Sequence, residues 1–129
     1  MILLDTHVAL WVLATPDRLG GQARAAIAGS PRVWYSSISI AEITIKRLIG
    51  RIDVPADLAD RLDAAGLVAL PLTARHAEAL DRLPQVARHD PFDRLLLAQA
   101  AVERCAFVTA DAVLLGAGFA SDLVVDARI

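Results

Sequence analysis

The chain is short of several things, and each shortage excludes something. A single cysteine in 129 residues rules out an intramolecular disulfide. Cys105 sits in an apolar stretch and reads as a core residue, and the reducing cytoplasm is the expected compartment. The only lysine is Lys46, in the middle of a predicted helix, and no Gly-rich loop precedes a Lys-Ser or Lys-Thr pair, which excludes a nucleotide-binding phosphate loop. The longest unbroken apolar stretch near the start, Val8 to Ala14, is far below the ~20 residues that cross a bilayer. With no Lys or Arg before Asp5 and no small-residue cleavage pattern, neither a secretory signal nor a transit peptide is expected, and no membrane association. Aromatics are scarce (three Phe, two Trp, one Tyr), so no stacking motif of the RRM type is visible. The net charge of −2 argues against a nonspecific nucleic-acid coat protein, while leaving nucleic acid open as a substrate. Repeats, low-complexity tracts and linkers are missing too, and residues 1–129 are expected to form one domain.

What is present is apolar bulk and alternation. Hydrophobic residues make up 56% of the chain, which fits either a dense Ala- and Leu-rich core or a surplus exposed as a partner-binding patch. Twelve of the thirteen basic residues are Arg, suited to fork-like contacts with phosphate or carboxylate, although a bias in codon usage would give the same count. Met1 to Leu4 is a short apolar strand. Thr6 to Ala14 follows as a helix closed at Thr15-Pro16-Asp17, and Gly21 to Ala28 as a second helix. Arg32 to Ser37 has strand character. Ser39-Ile40-Ala41-Glu42 reads as a capping box opening a helix to about Ile49. Further on come a helix at Ala56 to Ala65, a strand at Leu67 to Leu72, and a helix capped by Thr73 that stops before Pro84. Asp90 is then an N-cap, with Pro91 opening the helix Phe92 to Arg104. A strand at Ala106 to Thr109, a short helix at Asp111 to Leu115 and a strand at Leu123 to Val125 complete the chain. This alternation predicts an α/β fold with a mainly parallel sheet.

In such a sheet the ligand site lies beyond the carboxyl ends of the strands, where the strand order reverses. Four acids stand at the edges of apolar segments, Asp5 in MILLD, Glu42 in SSISIAE, Asp93 in HDPFDRLLLAQA and Asp111 in FVTAD; Asp5, Glu42 and Asp111 share that edge by topology, and Asp93 reaches it if its helix start does. Each has a plain reading, Glu42 as the capping-box acid and Asp93 and Asp111 as complements to helix N-termini. Asp5 resists that reading, because a carboxylate ending a wholly apolar strand needs a compensating cation or donor. A cluster of all four, with no basic partner in reach, would repel itself unless divalent cations held it together.

Oxygen ligands without cysteine or paired histidines suit Mg²⁺ or Mn²⁺ rather than Zn²⁺. Such ions serve in-line displacement at phosphorus, so phosphodiester hydrolysis is the expected reaction. Asp5 and Asp93 are the main candidate ligands, Glu42 a ligand to a second ion or an orienter of water, and Asp111 a ligand directly or through water. Thr6 and Thr109 are candidate supporting hydroxyls or merely turn caps. His7, His76 and His89 show no ligand spacing and are read as surface or helix-end residues, although His89-Asp90 has the form of a metal-binding dipeptide. Arg47 and Arg94 are candidates for phosphate contact or for solvated ion pairs. Val8 to Ala14, apolar on every face, is either wholly buried or partly offered to another chain, and Trp34, Ile45, Leu48 and Ile49 could extend that groove or belong to the core.

MILLDTHVALW, SISIAEI, HDPFDRLLLAQA and FVTAD together resemble, in order and spacing, the motifs of PIN-domain ribonucleases, most closely VapC-type toxins of bacterial toxin–antitoxin pairs. The resemblance spans essentially the whole chain. It implies a three-layer α/β/α fold, acids binding Mg²⁺ or Mn²⁺, and endonucleolytic cleavage of RNA that arrests translation. Asp5, Glu42, Asp93 and Asp111 carry over as the site, with Asp90 either substituting for Asp111 or only capping its helix. A cognate antitoxin that wraps the toxin and blocks the site, and homodimers that pair into larger complexes, are implied as partners. Two other readings stay open: a PIN-type nuclease in nucleic-acid processing without an antitoxin, and a non-catalytic binding module whose acids only cap helices.

Overall fold

The computed structural model describes residues 1–120 and 122–129. Five strands, β1 (Ile2–Leu4), β2 (Val33–Ser36), β3 (Val68–Leu70), β4 (Ala106–Thr109) and β5 (Val124–Asp126), pair in the order β3-β2-β1-β4-β5, all parallel. The helices among the described residues are α1 (Thr6–Ala14), α2 (Gly21–Gly29), α3 (Ser37–Leu48), α4 (Leu58–Ala64), α5 (Ala74–Glu78), α6 (Pro91–Glu103) and α7 (Ala112–Leu115). None of them is long and apolar enough to cross a membrane.

The register explains the layers. Leu3 pairs with Trp34 and Phe107, and all three side chains enter a core that includes Leu96, Leu97 and Ala100 of α6. One residue along, Ile2, Leu4, Tyr35 and Val108 enter the opposite core with Val8, Ala9, Ala23, Leu58 and Leu62 from α1, α2 and α4. The period of two therefore feeds both faces with apolar side chains, as a parallel sheet covered on both sides requires. This is the expected α/β/α arrangement. Cys105 and Trp34 are buried, which assigns both to the core and removes Trp34 from any surface groove. Ile45, Leu48 and Ile49 are exposed.

Element ends move by a residue or two from their predicted places, with physical reasons. The strand predicted over residues 67–72 pairs only across Val68–Leu70, since Pro71 has no N–H for the ladder. The helix capped by Thr73 tightens after Glu78 into a 3₁₀ turn through Arg82. The larger shift is at α3. Its cap is Ser36, whose Oγ accepts from the Ile38 N–H at 3.0 Å, so the predicted Ser39–Glu42 capping box does not form. The Ser36 hydroxyl in turn donates to the buried Gln99 of α6, and Gln99 Nε2 donates to the Leu70 carbonyl. One buried amide thus ties the carboxyl ends of β2 and β3 to α6.

The chain proceeds from β1 outward to β2 and β3, then returns to place β4 and β5 on the other side of β1. The order reverses between β1 and β4, where the loops leave in opposite directions and open a crevice. Asp5 follows β1 and Asp111 follows β4.

Residues 127–129 dock onto the turn before α2, where the Gly20 N–H donates to the Ala127 carbonyl at 2.9 Å. A Cβ on Gly20 would lie 1.9 Å from the Arg128 carbonyl oxygen, whereas one on Gly21 would meet nothing within 4 Å. Gly20→Ala should therefore destabilise the fold by about 1–3 kcal/mol or more through forced backbone shifts. Gly21→Ala should be neutral or stabilising by up to about 1 kcal/mol. Urea unfolding of the two variants side by side checks this.

Candidate functional site

Asp5 is 5% exposed and ends the central strand. Its Oδ1 accepts from the Thr6 N–H at 2.7 Å and its Oδ2 from the Thr109 hydroxyl at 2.6 Å. Thr109 Oγ1 also accepts the Asp111 N–H at 3.0 Å, so one hydroxyl couples the ends of β1 and β4. Burial raises the Asp5 pKa, with the bonds from Thr109 and Thr6 acting against that rise.

Because α3 starts at Ser37, Ser39, Glu42 and Ile43 share its buried face rather than its first turn. The Thr6 hydroxyl donates to Glu42 Oε1 at 2.8 Å and lies 2.8 Å from Ser39 Oγ. Glu42 is therefore aimed at the crevice and not at its own helix end. Its Oε2 is 2.8 Å from Lys46 Nζ, one turn along the same helix face. Thr6 and Thr109 both act as supports for the acids.

On the other side, Asp90 Oδ1 accepts from the N–H groups of Phe92 and Asp93 and caps α6. Asp93 in that first turn points back toward the crevice. Its Oδ2 is 2.9 Å from His89 Nε2, and the same nitrogen is 3.4 Å from Asp111 Oδ2. Asp111 spends Oδ1 on capping α7, accepting from Val113 and Leu114, which leaves Oδ2 for His89. The Asp93 pKa is pushed up to about 7, first by burial and then by the negative charges of Asp5, Asp90, Asp111 and Glu42.

These groups line one cleft of about 480 Å³: all four sequence-predicted acids, Asp90, and also His7, Trp11, Lys46 and Arg128. Two expectations are corrected. The acids are not without basic partners, since Lys46 reaches Glu42, and His89 reaches Asp93 and Asp111. The other corrected expectation is that no histidine has ligand spacing: His89 does stand at a helix end, just before the α6 cap, but it is 18% exposed and faces two of the acids. It stands four residues before Asp93 across the start of α6, a His-x-x-x-Asp spacing that would have pointed to it. His76 is instead buried in the Thr73 capping box. Arg94 donates from Nη1 to the Ala87 carbonyl at 2.9 Å, and among the described residues neither it nor Arg47 forms an ion pair.

The donor set fits a hard divalent cation. Four carboxylates meet in one cleft, and the mutual repulsion recorded in Asp93 is what such an ion relieves. A second cavity of about 570 Å³ shares His7 and Trp11 with the cleft and runs between α1 and the segment before α4, with Leu10, Leu13, Ile52 and Val54 on its walls. The apolar helix α1 is thus half-buried, with Val8 and Ala9 inward and Leu10, Trp11 and Leu13 at the surface of this groove.

Among solved structures the fold is similar to a toxin–antitoxin complex from Klebsiella pneumoniae, at 18% identity and a TM-score of 0.60, covering 86% of this chain and 87% of that one. It is similar to a DNA-bound VapBC from Salmonella typhimurium, at 17% identity and a TM-score of 0.60, covering 91% and 92%. It also resembles FitAcB from Neisseria gonorrhoeae, at 22% identity and a TM-score of 0.56, covering 96% of each chain. No curated protein sequence matches. The sequence profile of the PIN domain matches residues 2–119, the stretch that carries every strand but the last and all four clustered acids, and the chain belongs to the PIN domain family.

Proposed function

We propose that this protein is a metal-dependent endoribonuclease acting as the toxin of a toxin–antitoxin pair. The observation that carries the reading is the convergence of Asp5, Glu42, Asp93 and Asp111 on one cleft at the switch point of the sheet, with the Asp93 pKa pushed up to about 7 by burial and then by the neighbouring carboxylates. Carboxylates that merely cap helices would have no reason to meet. Asp5, Glu42, Asp93 and Asp111 would hold Mg²⁺ or Mn²⁺, which when bound supplies Lewis acidity toward a phosphoryl oxygen and acidifies water. Thr6 and Thr109 fix the orientation of Glu42 and Asp5. Lys46 and Arg128, the cations lining the cleft alongside His7, are placed to take the charge of the flanking phosphates. Asp111, with one oxygen engaged at α7, contributes the other. Asp90 caps α6 rather than replacing it.

Relatives of the same fold occur as toxin–antitoxin complexes, and the apolar groove along α1 supports an antitoxin partner on this chain. The exposed Ile45, Leu48 and Ile49 support a further contact, as in a homodimer or a larger complex. Expression without a partner should then arrest growth. Continued growth alongside cleavage in vitro would favour a processing nuclease that has no antitoxin.

Purified protein incubated with structured RNA should cleave it in Mg²⁺ or Mn²⁺ and not in EDTA. Asp5→Asn and Asp93→Asn should lower cleavage by at least about a hundredfold while leaving the circular dichroism spectrum and the fold intact, because each removes charge from a repelling cluster. No cleavage of any RNA, with no Mn²⁺ binding, would leave the non-catalytic binding module.

The metal-free protein should lose stability as pH rises. Folded Asp93 keeps its proton to about pH 7, whereas in the unfolded chain it titrates near 3.8, so between those values the native state binds more protons and rising pH favours unfolding. At about 1.4 kcal/mol per pH unit this amounts to a few kcal/mol at most. Thermal melts in EDTA from pH 4 to pH 8 should show it, and Asp93→Asn should flatten the profile. Metal affinity should rise over the same range, as Asp93 gives up its proton.

A further inference from the structure

His89 was not selected by sequence, and helix capping gives it no role. It lies in the turn between residues 86 and 90, which three bonds clamp. The His89 N–H donates to the Val86 carbonyl at 3.0 Å, Arg94 Nη1 donates to the Ala87 carbonyl, and Asp90 caps α6 immediately after it. The imidazole is 18% exposed and turns Nε2 into the acidic cleft, not out to water.

The spacing of the facing atoms is informative. An ion bound at ~2.1 Å by N and O donors sets neighbouring donors ~3.0 Å apart in an octahedron and ~3.4 Å apart in a tetrahedron. His89 Nε2 is 2.9 Å from Asp93 Oδ2 and 3.4 Å from Asp111 Oδ2, and one donor atom from each of the three residues falls within 4.8 Å of the others. Imidazole nitrogen is a poor ligand for Mg²⁺ and a good one for first-row transition ions. We infer that His89 is a direct nitrogen ligand, completing with Asp93 and Asp111 a mixed N,O site that selects Mn²⁺ over Mg²⁺. The inference rests on the metal-nuclease reading and adds to it a ligand and a preference among ions. Asp5 and Glu42, each held by a threonine hydroxyl, stand outside this trio and offer only oxygen donors.

The competing role for His89 is that of a counter-charge, an imidazolium that sits among the carboxylates and must leave when metal arrives. The two roles predict opposite effects of removing it. Full-length protein loaded with Mn²⁺ should give pulsed EPR modulation from a directly bound ¹⁴N. That signal should vanish in His89→Gln and persist in His7→Gln, the control at the histidine that lines the cleft. By calorimetry, His89→Gln should weaken Mn²⁺ binding about tenfold or more and Mg²⁺ binding by clearly less. Bound Mn²⁺ without ¹⁴N modulation in the wild type would overturn the proposal, and so would tighter Mn²⁺ binding in His89→Gln. The wild-type spectrum decides even if the variant is unstable. Failure of the wild type to bind Mn²⁺ at all would overturn the underlying metal-nuclease reading together with this one, and calorimetry separates that result from bound metal lacking nitrogen.

Discussion

The site depends on the bond between the Thr109 hydroxyl and Asp5. A carboxylate at the end of the central strand of a sheet covered on both faces loses most of its hydration, and the rise in the Asp5 pKa records that loss. Thr109 supplies one donor and the Thr6 amide the other. Since Thr109 also accepts from the Asp111 backbone, the same hydroxyl fixes the spacing between the loops after β1 and β4. Thr6 repeats the device on the other side, with its amide on Asp5 and its hydroxyl on Glu42. Two threonines thus connect three of the four acids through short, buried bonds. Asp5 and Asp111 follow strands of the sheet and Glu42 and Asp93 stand on helices packed against it, which is the kind of support a preorganised site needs.

The switch-point topology makes this possible. Asp5 and Thr109 face each other because β1 and β4 are parallel neighbours, a pairing between segments a hundred residues apart. No local pattern encodes that contact. What local pattern does encode is the alternation of strand and helix, and from it the rule that strand carboxyl ends form the ligand edge. That was enough to collect Asp5, Glu42 and Asp111 from the sequence before any contact was known. Asp93 required more, since its helix precedes a strand, and it reaches the edge only because Asp90 and Pro91 start α6 at the crevice.

The misreadings have physical causes. Ser39 and Glu42 have the spacing of a capping box, but Ser36 is a serine too and comes first, where the strand ends. Once Ser36 caps the helix, and Gln99 of α6 holds its hydroxyl, the later pair rotates inward. The four acids do share one cleft, but Glu42 enters it from the buried face of α3 and not as a capping-box acid. Spacing among histidines carries no signal for His89, because its partners are Asp93, four residues on across a helix start, and Asp111 from the loop after β4. Lys46 lies within α3 as expected and belongs to no phosphate loop, yet one helical turn is all that separates it from Glu42.

A cluster that repels itself must be supported by the rest of the fold, and the distribution of apolar residues shows where that support comes from. Phe107, Leu3, Leu4 and Val108, on the two strands that carry Asp5 and Thr109, are fully buried. At about 1.5–3 kcal/mol per large side chain, such burial easily exceeds what the strained carboxylates take away. Lys46 offsets part of the repulsion at Glu42, 2.8 Å away on the same helix. A cation held by the four carboxylates would stabilise the folded state by binding it in preference to the unfolded chain. The acids can therefore be chosen for chemistry, because the sheet beneath them carries the fold.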